Sequence, residues 1–215
     1  KKLETIHDNL LVIISAPYSN LVDQWKQELS KWYIDSNILD AGWTKELRQE
    51  IQVSNKSIDK KLSVLICSHA KFARDEFLEI IKKSKIPVML IVDEAHHVGA
   101  GNTGKDDDGV VVTNGSRKGL SEKYQYRLGL SATIERYFDQ DGTDFIRNYF
   151  SGSSGKSTVY TMSLKQAIEQ DKLCRYNYYP YFVELTSDEF YEYKRLTKLA
   201  VSYLSSKNYE DRIKG

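Results

Sequence analysis

The chain is short of several things. Among 215 residues there are two cysteines, Cys67 and Cys174, and three prolines. Two cysteines cannot build a disulfide framework or a cysteine-rich zinc site. Such sparing use fits a reducing, cytoplasmic setting. Histidine is scarce too, at four residues, which leaves few nitrogen ligands for a metal. Neither sign of charge prevails: 31 Lys and Arg face 30 Asp and Glu, for a net charge of +1. That disfavours a tail-driven, histone-like nucleic-acid binder and leaves a local basic groove open. Apolar runs reach about five residues, far short of the roughly 20 that span a bilayer, so no membrane partner is expected. The opening Lys1-Lys2-Leu3-Glu4 has no signal-peptide pattern and no initiator Met. The chain therefore reads as a piece of a longer one. What is present, 40% hydrophobic and 28% charged residues, is the composition of a globular domain with a sizeable core.

Leu10-Leu11-Val12-Ile13-Ile14 is an all-apolar run, the pattern of a strand buried on both faces of a parallel sheet. Ala16-Pro17 ends it, and Asn20 is placed to cap a helix carrying Leu21, Val22, Trp25, Leu29 and Trp32 on one side. Ser63–Cys67, Pro87–Val92 and Arg127–Leu130 read as further buried strands, and 71–82 as a helix. Strands alternating with helices predict an α/β fold, a parallel sheet with helices on both faces. Residues 99–116, with Asp106-Asp107-Asp108, and 151–157 read as surface loops. Tyr176, Tyr178, Tyr179, Tyr181 and Phe182 make an aromatic, strand-like stretch. Thr186 with Glu189 forms a capping box for a helix bearing Phe190, Tyr193, Leu196, Ala200, Val201 and Leu204 on one face.

The chemistry concentrates in Asp93-Glu94-Ala95-His96, directly after the third buried strand. The carboxyl end of a strand is where an open α/β sheet places its active groups. One carboxylate there can hold the water shell of a Mg²⁺ bridging nucleotide phosphates, and its neighbour can act as base toward an attacking water. Gly129-Leu130-Ser131-Ala132-Thr133 follows at the end of the next strand, with hydroxyls able to bond the acidic motif. Ser131-Ala132-Thr133 is weak by itself; its order and strand placement after the rarer acidic motif make the pair informative.

On these residues the chain resembles the superfamily 2 DEAH-box helicases. Asp93-Glu94-Ala95-His96 resembles motif II (Walker B), and Ser131-Ala132-Thr133 resembles motif III. Ala16-Pro17-Tyr18-Ser19-Asn20-Leu21-Val22-Asp23-Gln24-Trp25 is similar to motif Ia, and Cys67-Ser68-His69 falls where motif Ib-like contacts lie. The similarity is greatest to the branch holding the repair helicase XPB and the motor subunits of type I and type III restriction enzymes. It departs at Ile134, where that family usually has proline. The resemblance implies a RecA-like, P-loop NTPase fold, with residues 1–175 as helicase domain 1 and 176–215 as a connector and the start of a second RecA-like domain. It implies ATP and Mg²⁺ as cofactors and nucleic acid as partner, DNA favoured over RNA. Further implied partners are the second RecA-like domain of the same chain and a nuclease or methyltransferase. By the same resemblance Asp93 would organise Mg²⁺ through water, Glu94 would be the catalytic base, and His96 would couple the nucleotide site to the second domain. Ser131, Ala132 and Thr133 would link hydrolysis to movement. Pro17, Ser19, Asn20, Gln24, Ser68 and His69 would meet the nucleic acid.

The phosphate-binding loop of that family, Gly-x-x-x-x-Gly-Lys-[Ser/Thr], should precede Leu10, and nothing there fits. Residues 1–7 then read as the last turns of the helix that follows it. Gly99–Lys105 has the loop's spacing, but Asp106 replaces the hydroxyl and no helix pattern follows. Gly155-Lys156-Ser157 lacks the first glycine. Two rival functions remain. One is a metal hydrolase built on Asp93, Glu94, His96, His97 and His69. The other is a helicase-like nucleic-acid-binding module that has lost catalysis.

Overall fold

The computed structural model describes residues 3, 6–99, 102–105, 111–136, 139–151 and 160–205, with side chains omitted for 102–105, 111–114 and 200–205. The chain divides into two compact units, residues 1–160 and 161–215.

The first unit is built on the apolar runs. β1 (Asn9–Ala16), β2 (Asn37–Ile38), β3 (Lys61–Ser68), β4 (Val88–Val92) and β7 (Tyr126–Gly129) form a parallel sheet of order β2-β3-β1-β4-β7. Leu10 to Ala16 are all buried because β1 is central, with neighbours on both edges and cover on both faces. Alternation then sorts the side chains. Leu11 and Ile13 face one core with Leu65, Cys67, Leu90 and Val92. Leu10, Val12 and Ile14 face the other. Helices α2 (Trp43–Lys56), α3 (His69–Phe72), α4 (Asp75–Ile81) and α5 (Gln140–Ser151) supply buried side chains to the first core, and α1 (Ser19–Lys31) covers the second. The α/β reading with helices on both faces holds.

Several local readings change. Tyr18, not Asn20, is the N-cap of α1, and Asn20 lies inside the first turn. The helix expected over 71–82 is two, broken where Arg74 is extended. The reason is packing. Phe72 and Phe77 are both fully buried, and in one helix residues five apart would point roughly 140° from each other. The break lets both reach the core, where their rings meet at 6.0 Å. Within 99–116, read as loop, β5 (Asn102–Lys105) and β6 (Val111–Asn114) pair antiparallel. Of the loop expected over 151–157, Ser151 is the last residue of α5; residues 152–157 and the acidic run 106–108 lie outside the described residues. Ile134 packs on the main core.

The second unit contains α6 (Leu164–Glu169) and α7 (Ser187–Ser205). The Thr186 capping box is present: Glu189 N donates to Thr186 Oγ1 at 3.3 Å, and Thr186 N to Glu189 Oε2 at 2.8 Å. The aromatic stretch expected to be strand-like forms no strand. Tyr176, Tyr178, Tyr179, Tyr181 and Phe182 are exposed, and no ladder partner is present among the described residues. Phe190, Tyr193 and Leu196 of α7 are exposed as well.

Cys67 is fully buried, and burial pushes its thiol up to about 12 against the milder pull of the Ser15 hydroxyl; Cys174 is exposed. Gly119 lies so close under Phe72 that a Cβ there would fall 2.3 Å from the ring. Gly119→Ala should therefore cost about 1–3 kcal/mol by overpacking, read as a lower urea midpoint with unchanged slope. An unchanged midpoint would show that the Phe72 ring yields freely.

Candidate nucleotide site at the end of the central strands

The acidic motif is held by the last rungs of the sheet. Asp93 N donates to Ser15 O of β1 at 2.8 Å, Leu130 N to Val92 O at 2.8 Å, and Ala95 N to Leu130 O at 2.8 Å. Between these fixed points Glu94 has φ 46°, in the left-handed region. A non-glycine residue there stores about 1–3 kcal/mol unless its surroundings over-determine it, as these bonds do. The kink sends the chain into the 3-10 turn Ala95–Gly99.

Asp93 and Glu94 thereby stand half-buried at the sheet's carboxyl edge. Asp93 Oδ1 accepts from Glu94 N at 3.0 Å, and Oδ2 accepts from the Trp25 indole at 2.9 Å. A cleft of about 280 Å³ opens beside them, lined by Leu21, Gln24, Trp25, Glu28 and Asp93. His96 Nδ1 lies 2.9 Å from Ser131 Oγ and 3.3 Å from Glu94 Oε2. Ser131 gives its only proton to Thr133 O at 2.6 Å. Its oxygen must then accept from His96, which places the imidazole proton on Nδ1. Burial, and then the neighbouring His97, hold His96 below the ordinary imidazole range against the pull of Glu94.

Two arginines brace this turn, and neither stands out in the sequence. Arg136 donates to His96 O and, at 2.7 Å, to Asp139 Oδ2, whose carboxyl it holds below its usual range. Asp139 Oδ1 in turn takes Gly142 N at 2.8 Å. Arg117 is buried, donates to Gly99 O at 3.1 Å and lies 4.2 Å from the centre of the Phe145 ring. The position of Arg136 after Ser131-Ala132-Thr133 is the one signal available beforehand.

The structure brings Asp93, Glu94, His96 and Ser131 together. Ala132 and Thr133 are exposed beside them. Pro17 is half-buried in the turn after β1, and Ser19, Asn20 and Gln24 are exposed on α1. The Tyr18 ring meets His97 edge-on at 6.2 Å, linking that turn to the acidic motif. Ser68 caps α3, its hydroxyl accepting from Lys71 N at 3.4 Å. His69, expected at the nucleic-acid surface, is only 6% exposed, and its Nδ1 lies 2.7 Å from Ser15 Oγ. Its Nε2 is buried and has no hydrogen-bond partner among the described residues. Asn102–Lys105 is a strand rather than part of a phosphate loop followed by a helix, and 155–157 lie outside the described residues.

The parallel sheet, with the acidic pair at the carboxyl end of the inner strand β4, is a RecA-like α/β arrangement. The chain belongs to the family described as "Type III restriction enzyme, res subunit" (ResIII), whose model matches residues 2–136. No curated protein is significantly similar. Among solved structures, a de novo designed protein of the P-loop NTPase fold is 16% identical, covering 68% of this chain and 92% of its own, with a TM-score of 0.34. A nuclease-deletion mutant of the Type ISP restriction-modification enzyme LlaGI, in complex with a DNA substrate mimic, is 14% identical with a TM-score of 0.44. It covers 96% of this chain, which spans 19% of that enzyme.

Burial pushes the His69 imidazole down to about 4, with the Asp93 main chain opposing, from an ordinary value of 6.5. The unfolded chain therefore binds the proton first. The stabilisation is complete above 6.5 and is lost as pH falls from 6.5 toward 4, an effect of about 3 kcal/mol. Unfolding at pH 7 and pH 4.5 should show a smaller drop for His69→Gln than for wild type. Equal drops would exclude His69 as the source.

Proposed function

We propose that residues 1–175 form the first RecA-like domain of a superfamily 2 DEAH-box motor, with 176–215 leading into a second, and that ATP hydrolysis drives its movement on nucleic acid. The observation that carries this reading is the contact between two motifs. His96, two residues after Glu94, shares a hydrogen bond with Ser131, which follows β7, the neighbour of β4 in the sheet. Membership of the type III restriction res-subunit family supports DNA over RNA as the track, and a nuclease or methyltransferase as working partner.

The donor set suits Mg²⁺. Among the described residues no three or more His, Cys, Asp and Glu are grouped to hold a metal, so a zinc cage built from protein alone has no support here. A half-buried carboxylate with few protein co-ligands suits a cation that keeps several waters and takes phosphate oxygens as its other ligands. Asp93 would hold it through water, and when bound it neutralises phosphate charge. Glu94 accepts the proton of the attacking water, its direction set by the constrained backbone. Neutral His96 passes the state of the site to Ser131 and Thr133. Pro17, Ser19, Asn20, Gln24 and Ser68 present hydroxyls, amides and a helix start to the track, which binds phosphates without a large net charge.

The test is Mg-ATP turnover by the intact protein that carries this chain, with and without duplex DNA. DNA should stimulate it, and Glu94→Gln should cut it about 10²-fold or more while nucleotide still binds. Turnover indifferent to both would overturn the motor and favour the inactive binding module. Ser131→Ala with Thr133→Ala should spare hydrolysis better than DNA movement, followed by triplex displacement. Equal losses would count against a coupling role.

A further inference from the structure

We propose that Trp25 is a positioning residue for the metal-holding carboxylate: its indole N–H fixes Asp93 and ties it to the helix that starts at the proposed track surface. The inference rests on the reading of Asp93 as the Mg²⁺ residue.

Trp25 sits at an apolar position of α1, and its ring packs beside the second core with Leu21 and Leu29. Packing alone would leave the N–H free to face water. Instead it donates to Asp93 Oδ2 at 2.9 Å across 68 residues of sequence. Glu94 N takes the other oxygen, at 3.0 Å. The carboxylate is thus held by one donor on each oxygen, and its remaining lone pairs are left for water or metal. The cleft lies against this pair, with Trp25 and Asp93 both in its wall. A hydrogen bond to an ionised carboxylate is stronger than one between neutral groups. Partners of this kind orient metal ligands, and losing one typically weakens metal binding 10–100-fold.

The same bond has a mechanical side. α1 is a single helix, Ser19–Lys31, with Ser19, Asn20 and Gln24 exposed along it. Trp25 is six residues, about 9 Å of helix, beyond Ser19. A shift of α1 on the track therefore reaches Asp93 directly, without passing through motif III.

The experiment measures binding rather than turnover. In the intact protein, in a Glu94→Gln background, binding of a fluorescent ATP analogue is titrated with Mg²⁺. Trp25→Phe keeps an aromatic ring and removes the donor. The Mg²⁺ midpoint should rise about 10-fold or more, with binding in EDTA and the unfolding midpoint unchanged. An unmoved midpoint, beside an Asp93→Asn control that does shift, overturns the role of Trp25 and leaves the metal reading standing. If Asp93→Asn also moves nothing, the metal reading falls and the inference with it. An equal loss with and without Mg²⁺ overturns the inference too. Should Trp25→Phe misfold, 3-benzothienylalanine at position 25 replaces the N–H by sulfur at nearly constant shape, and the same outcomes decide.

Discussion

Parallel pairing of β1, β4 and β7 ends within a residue or two of the same level, and the site depends on that shared ending. Each of the three strands contributes a main-chain group at its carboxyl end: Ser15 O, Val92 O, and the N–H and C=O of Leu130. Together they fix Asp93 and Ala95 on either side of Glu94 and hold it in a conformation it would otherwise leave. A parallel sheet suits this purpose because its strands all point one way and deliver their last residues to one edge. An antiparallel neighbour would bring a turn to the same place.

Around that edge the side chains form two supports of different character. On one side is the α1 indole, a rigid donor from a helix packed on the second core. On the other are Arg136 and Arg117, which hold the carbonyls of the 3-10 turn and connect it to Asp139 and Phe145. The turn's residues are thus positioned from both faces of the sheet. Helix packing here bears on chemistry as well as stability, because the same side chains that fill the cores end at the acidic motif.

Sequence pattern revealed the inner strands, since a strand buried on both faces must be apolar without interruption, as in Leu10–Ile14 and Val88–Val92. The acidic motif and its serine partner were equally readable, because their residue types and order are unusual. Other features were hidden for physical reasons. The break at Arg74 follows from two phenylalanines competing for one core, a tertiary demand with no local sign. α2 carries Trp43, Leu47 and Ile51 at four-residue spacing, a helical signal along one buried face. His69 sits at a strand end where an exposed residue is usual, and only the fold shows Ser15 reaching its ring. The aromatic stretch from Tyr176 has the composition of a strand, yet composition cannot supply the ladder partner a strand needs. Trp25 was readable as core, but the direction of its N–H is a property of the assembled helix and sheet.

The two cysteines end in opposite situations. Cys67 lies near the end of the inner strand β3, fully buried, with its thiol protonated far beyond neutral pH; Cys174 is open to solvent in the second unit. Thiolate fraction and access govern alkylation. The folded chain therefore discriminates between its cysteines by itself, and a maleimide dye goes to one site without any engineered cysteine. Exposure of the second thiol then becomes a chemical clock for opening of the sheet.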